Sequence, residues 1–99
     1  MTTFLVKRIV TGAGPNDYDA ALFRALSCIY DFPGLKWMHS FWDREAGVSY
    51  CVYEAASEEQ IHQHAALAHI PCDEVYPVIA TGPDTYEAGR IAELETSQP

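Results

Sequence analysis

Between Leu35 and His69 the chain carries all of its histidines, His39, His62, His64 and His69, together with Cys51 and Glu54. An imidazole beside a carboxylate can share a divalent ion, and imidazole suits nickel, zinc or copper. The same pair can serve as a base and its orienting partner. His39 and Glu54 are the candidates for that chemistry, and a hydrogen-bonded His–Glu pair that stabilises a dimer is the plain alternative. A thiol activated by imidazole is a nucleophile or a soft metal site, which singles out Cys51 and His64. Against that stands the commoner case of a cysteine acting as a small buried hydrophobe beside a core histidine. His62 lies two residues from His64 and points away from it on a helix, so His62 and His69 are expected at the surface. Cys28, beside Leu26 and Ile29, reads as core. Cys72, following Pro71, reads as the most exposed thiol.

These residues need elements to hold them. Trp37 to Trp42 and Val48 to Ala55 are aromatic and β-branched runs flanking a Gly-containing turn, which predicts a hairpin. If Glu45 and Ala46 form the turn, Phe41 falls opposite Tyr50, His39 opposite Val52 and Trp37 opposite Glu54. One face then carries Trp37, His39, Phe41, Tyr50, Val52 and Glu54. The other carries Met38, Ser40, Trp42, Ser49, Cys51, Tyr53 and Ala55, whose smaller residues suit helix packing. On the first face His39 and Glu54 are diagonal neighbours within side-chain reach, set in an aromatic wall.

Before the hairpin, Phe4 to Val10 is a strand ended by Thr11-Gly12-Ala13-Gly14-Pro15. The spacing of Gly12 and Gly14 matches neither nucleotide fingerprint, so this is a strand-to-helix turn. Asn16 or Asp17 is expected to cap a helix to about Tyr30, with Tyr18, Leu22, Ala25, Leu26 and Ile29 on its apolar stripe. Pro33-Gly34 stops it. After the hairpin, Ser57 with Glu58 and Glu59 opens a helix to about His69, burying Ile61, His64, Ala65 and Ala68. Glu74 to Ala80 reads as a strand that Pro77 restricts to an edge or a bulge. The order β-α-β-β-α-β is the ferredoxin-like, α+β arrangement over residues 1–80. Its four-stranded antiparallel sheet leaves one face uncovered, for which a sheet-to-sheet homodimer, as in dimeric α/β-barrels, is the physical remedy. Residues 81–99 form an acidic extension in which Thr85 to Glu95 can make a short helix.

Composition narrows the partners. A net charge of −8 over 99 residues offers nothing to neutralise phosphates, against nucleic acid and anionic membranes alike. Cations are favoured. There is no apolar run long enough to span a bilayer, and the N-terminus lacks a signal-peptide pattern. Three cysteines without metal-finger spacing indicate a cytoplasmic protein with reduced thiols.

Trp37-Met38-His39-Ser40-Phe41, Tyr50-Cys51-Val52-Tyr53-Glu54-Ala55, Glu59 to Ala65 and Ile70-Pro71 together resemble the small actinobacterial nickel-binding proteins of ferredoxin-like fold. The likeness extends over about residues 3 to 80. It implies a dimeric α+β sandwich able to hold nickel or a similar divalent transition metal, with His39, Cys51, Glu54 and His64 as the matching functional positions. The chain departs from the pattern at Trp42, where a smaller aliphatic residue is usual, and at Cys72, and it adds His62 and His69.

Three readings follow. The first is a dimeric metal-binding protein using His39 and Glu54, with Cys51 and His64 as second-site candidates. The second is a small-molecule-binding protein or an enzyme of the monooxygenase, isomerase or cyclase kind. It would use a cavity of Trp37, Phe41 and Tyr50 with His39 as catalytic acid or base. The third is an interaction module whose open face serves only to dimerise.

Overall fold

The computed structural model describes residues 1–87. Strand β1 (Thr2–Ile9) leads into helix α1 (Pro15–Cys28) and a single 3-10 turn, Ile29–Asp31. The hairpin β2 (Lys36–Asp43) and β3 (Val48–Ala55) is followed by helix α2 (Glu58–Ala68), strand β4 (Glu74–Val78) and one helical turn α3 (Pro83–Thr85). The strands form one antiparallel sheet in the order β2-β3-β1-β4. The predicted ferredoxin-like order is therefore the observed one, and Pro77 lies on an edge strand, where its missing N–H costs no ladder bond. The proposed Thr85 to Glu95 helix falls largely outside the described residues.

Local chemistry explains the helix starts. At α1 the cap is Gly14 with Pro15 after it, not Asn16 or Asp17. Asp17 Oδ2 instead accepts from the Gly14 amide at 3.2 Å, which relieves one orphan donor. At α2, Ser57 Oγ accepts from the Gln60 amide at 3.3 Å, as a capping serine should. His69 closes α2 in the left-handed region at φ 55. Gly47 (φ 70) is required in the β2–β3 turn, because a Cβ there would stand 2.8 Å from Thr11 Cα.

Both helices cover one face of the sheet. From β1 this face takes Phe4, Val6 and Arg8, and from β3 it takes Ser49, Cys51, Tyr53 and Ala55. Ala25 on α1 packs with Ala65 and Ala68 on α2, small residues that let the two helices approach closely. That contact turns Leu26, placed on the buried stripe by periodicity, outward to 42% exposure.

One departure changes the site. From His39 to Asp43 the β2–β3 register is the predicted one, with His39 opposite Val52 and Phe41 opposite Tyr50. A bulge at Met38 then shifts it, so that Trp37 pairs with Tyr53 and Lys36 with Glu54. A one-residue slip moves a side chain to the other face. Trp37 accordingly packs against the buried core and donates from Nε1 to Ser40 Oγ at 2.9 Å, while Met38 is extruded to 49% exposure.

The least expected core member is Arg8, only 2% exposed. Its Nε donates to Cys51 Sγ at 3.4 Å, an Nη to the Tyr53 hydroxyl at 3.2 Å, and the other Nη to the Pro71 carbonyl. None of these acceptors is a carboxylate. Arg8→Ala should lower the unfolding free energy by about 3 kcal/mol, combining a cavity with unsatisfied acceptors. Arg8→Met, which keeps the apolar stem, should recover part of that loss. Urea denaturation of both variants checks it; equal midpoints for Arg8→Ala and the parent would assign these hydrogen bonds no stabilising role.

Candidate functional site

The sheet face opposite α1 and α2 is built in rows. His39, Val52, Leu5 and Tyr76 stand side by side across it, and Phe41, Tyr50, Lys7 and Glu74 form the row beside them. It is partly apolar and open: Phe41 is 60%, Ile9 51%, Tyr76 43% and Tyr50 37% exposed. Lys7 and Glu74 pair at 3.1 Å. The Tyr76 hydroxyl and then Lys7 hold the Glu74 carboxyl below its ordinary range.

His39 and Glu54 share this face on adjacent strands, displaced by two residues along β3 because His39 pairs with Val52. Cβ atoms in that relation are about 7 Å apart, a span that an imidazole and a glutamate can bridge through one ion. The His39 ring stands edge-on to Phe41 at 5.1 Å. The bulge puts Lys36 opposite Glu54, a cation that the sequence had not placed there. Among the described residues, no group of three or more His, Cys, Asp or Glu side chains converges as a metal set.

The aromatic cavity needs correction. Phe41 and Tyr50 are cross-strand partners on the open face, but Trp37 has crossed to the helix side. There it borders a groove of ≈ 290 Å³ with Asp19, Leu22, Phe23 and Leu26. The predicted Trp37–Phe41–Tyr50 wall is therefore divided between two faces by the Met38 bulge.

Cys51 and His64 both lie in the core, at 0% and 1% exposure, yet each is engaged elsewhere. Cys51 Sγ takes the Arg8 Nε–H and lies 3.8 Å from Ser49 Oγ. Ser49 Oγ in turn shares a 2.6 Å hydrogen bond with the Tyr18 hydroxyl. A metal ion on this sulfur would sit against a buried guanidinium and be repelled. His64 Nε2 donates to the Ala25 carbonyl at 2.8 Å, between the rings of Tyr53 and Phe32. Burial holds the His64 pKa below 6.5; the bond to the Ala25 carbonyl opposes it, and the guanidinium of Arg8 adds a smaller push downward. Burial likewise pushes the Tyr53 hydroxyl up to about 12.

Two features escaped the residue-by-residue reading. Arg8 was invisible because a charged residue reads as surface, although the parity of Phe4, Val6 and Arg8 points it inward. The other is the trio Glu58, His62 and Cys72. His62 Nε2 meets Glu58 Oε2 at 3.2 Å, and His62 Nδ1 meets Cys72 Sγ at 3.5 Å. The i, i+4 spacing of Glu58 and His62 was the available signal; the approach of Cys72 depends on the α2–β4 link.

His64 sets a pH dependence. Its folded pKa lies below the unfolded value of about 6.5, so the unfolded state binds the proton first. The neutral ring's contribution is complete above that value and is lost as pH falls through the window beneath it. The urea midpoint should fall between pH 7 and pH 5, and the fall should be smaller in His64→Gln. Parallel slopes in the two proteins would remove His64 as the cause.

The family model described as nickel responsive protein SCO4226-like matches residues 4–78. Among solved structures, SCO4226 from Streptomyces coelicolor A3(2) is similar at 21% identity and a TM-score of 0.72, over 81% of this chain and 99% of that one. A search of curated proteins finds no match. With most of its length matched, from β1 through β4, the chain belongs to the SCO4226-like family of nickel responsive proteins.

Proposed function

We propose that the protein is a homodimer that binds a nickel-type divalent ion on the open face of its sheet, with His39 and Glu54 as ligands. The observation that carries this reading is their placement as diagonal neighbours on the sheet face opposite α1 and α2. The donor set fits: imidazole and carboxylate both suit a divalent first-row metal. It is incomplete in one chain, since no third donor converges among the described residues. A second copy packed face to face would supply an equivalent pair, and it would also cover Phe41, Tyr50 and Tyr76. The family's description as nickel responsive supports the choice of metal, and the charge of −8 favours cation approach. Lys36 beside Glu54 acts the other way, so a bound ion must displace its attraction. When bound, the ion would tie the two subunits together; His39 and Glu54 would orient it.

Nickel and zinc are titrated calorimetrically into chelator-treated full chain, with His39→Ala and Glu54→Gln alongside and sedimentation run in parallel. The expected result is saturable binding at micromolar affinity or tighter, strongly weakened in both variants, with a dimer in solution. A melting temperature that rises with nickel should accompany it, since a ligand of the native state stabilises by about 2.7 kcal/mol at a hundredfold excess over Kd. Weak binding indifferent to both substitutions would overturn the metal reading. A monomer that binds nickel tightly would overturn the shared site.

A further inference from the structure

The trio at the base of α2 belongs to neither the open face nor the buried thread around Arg8, and its geometry assigns proton positions. Glu58 Oε2 is an acceptor, so His62 Nε2, 3.2 Å from it, carries the ring hydrogen. The lone pair is then on Nδ1, which faces Cys72 Sγ at 3.5 Å. The thiol therefore donates toward the imidazole, and a carboxylate backs the imidazole on its far side. This is the order nucleophile, base, orienting group. Cys72 is held in place because Arg8, from the core, takes the carbonyl of the preceding Pro71. The following Asp73 amide also donates to the Lys7 carbonyl at 3.0 Å.

Those two flanking residues decide the substrate class. Acyl transfer needs N–H donors aimed at a developing oxyanion. Pro71 has no N–H and the Asp73 amide is already taken by Lys7, which leaves the Cys72 N–H without the second donor that an oxyanion hole pairs with the nucleophile's own amide. Cys72 is also half-buried, packed against both apolar clusters, which restricts approach to something small. A hydroperoxide meets both conditions: it is small, and its leaving oxygen needs a proton rather than an oxyanion hole.

We propose that Cys72, His62 and Glu58 form a base-assisted thiol site that is oxidised by hydrogen peroxide. The Cys72 S–H proton passes to His62 Nδ1 while Sγ attacks one peroxide oxygen. The S–O bond forms as the O–O bond breaks, and the departing hydroxide takes the proton back from Nδ1–H and leaves as water. Sulfur is oxidised by two electrons to the sulfenic acid, and peroxide is reduced by the same two. Glu58 is a positioning residue: it fixes the tautomer and steadies the imidazolium. The charged groups around the sulfur are Arg8, which favours the thiolate, and Asp73 and Glu58, which oppose it. Burial, the largest influence, pushes the thiol up. That keeps the S–H in place until the base acts, so the site depends on His62 rather than on a preformed thiolate.

The test uses chelator-treated full chain, hydrogen peroxide and dimedone to trap the sulfenic acid, read by mass spectrometry of peptides. Cys28, also partly buried, is the internal reference. Cys72 should be trapped ahead of Cys28, and the rate should fall at least about a hundredfold in His62→Gln, the lower end of what a general base contributes. Glu58→Gln, which keeps an oxygen for Nε2–H, should slow oxidation less than Glu58→Ala. The side chains of His62 and Glu58 are half exposed, and circular dichroism confirms that these variants fold. Oxidation of Cys72 no faster than Cys28, or a rate unchanged in His62→Gln, would overturn the proposal.

Discussion

A cation buried without a carboxylate partner among the described residues is the constraint around which this core is arranged. Removing a guanidinium from water costs several kcal/mol even after relaxation, so its donors must find acceptors. Arg8 meets that requirement with a sulfur and a phenol from β3 and a carbonyl from the α2–β4 link. The thread continues through Cys51 and Ser49 to Tyr18 on α1, so one polar line crosses a core that is otherwise aliphatic and aromatic. A fully connected network of this kind fixes which strand residue faces which helix. It also adds to the electrostatics around it: burial lowers the pKa of the His64 imidazole, and the nearby guanidinium pushes it the same way.

That line divides the work of the sheet. In Tyr50-Cys51-Val52-Tyr53-Glu54-Ala55, alternate residues go to opposite faces. Cys51, Tyr53 and Ala55 are buried under the helices, and Tyr50, Val52 and Glu54 lie on the open side. A single short motif thus writes both the structural thread and half of the proposed metal pair. The two sets of residues suggested by the resemblance were never able to meet at one ion, because a sheet stands between them. Cys51 and His64 support the platform; His39 and Glu54 stand on its other surface.

Much of this was legible from hydrophobic period and turn chemistry. Element order, the edge position of β4, the Ser57 cap and the His39–Val52 register all follow from residue types whose local preference agrees with the fold. The failures have physical causes. The Met38 bulge has no Gly or Pro to announce it; it is stabilised by burial of the Trp37 ring and its bond to Ser40, which are tertiary gains. Arg8 was missed because composition places arginine at the surface, and only its neighbours make burial tolerable. Leu26 was misjudged because α1 turns its small residues, not its largest, toward α2.

The histidines show why counting ligand-type residues is a poor guide to chemistry. His64, in the core, gives its Nε2–H to a backbone carbonyl. His69 occupies a left-handed cap, a position set by its backbone. His62 has one nitrogen turned to a carboxylate and the other to a thiol, an arrangement that moves a proton more readily than it holds an ion. His39 alone stands on the sheet face opposite α1 and α2, one diagonal step from a carboxylate. The same side chain is thus a structural donor, a capping residue, a base and a prospective ligand. Which of these it becomes is decided by the element that carries it and by what that element is packed against.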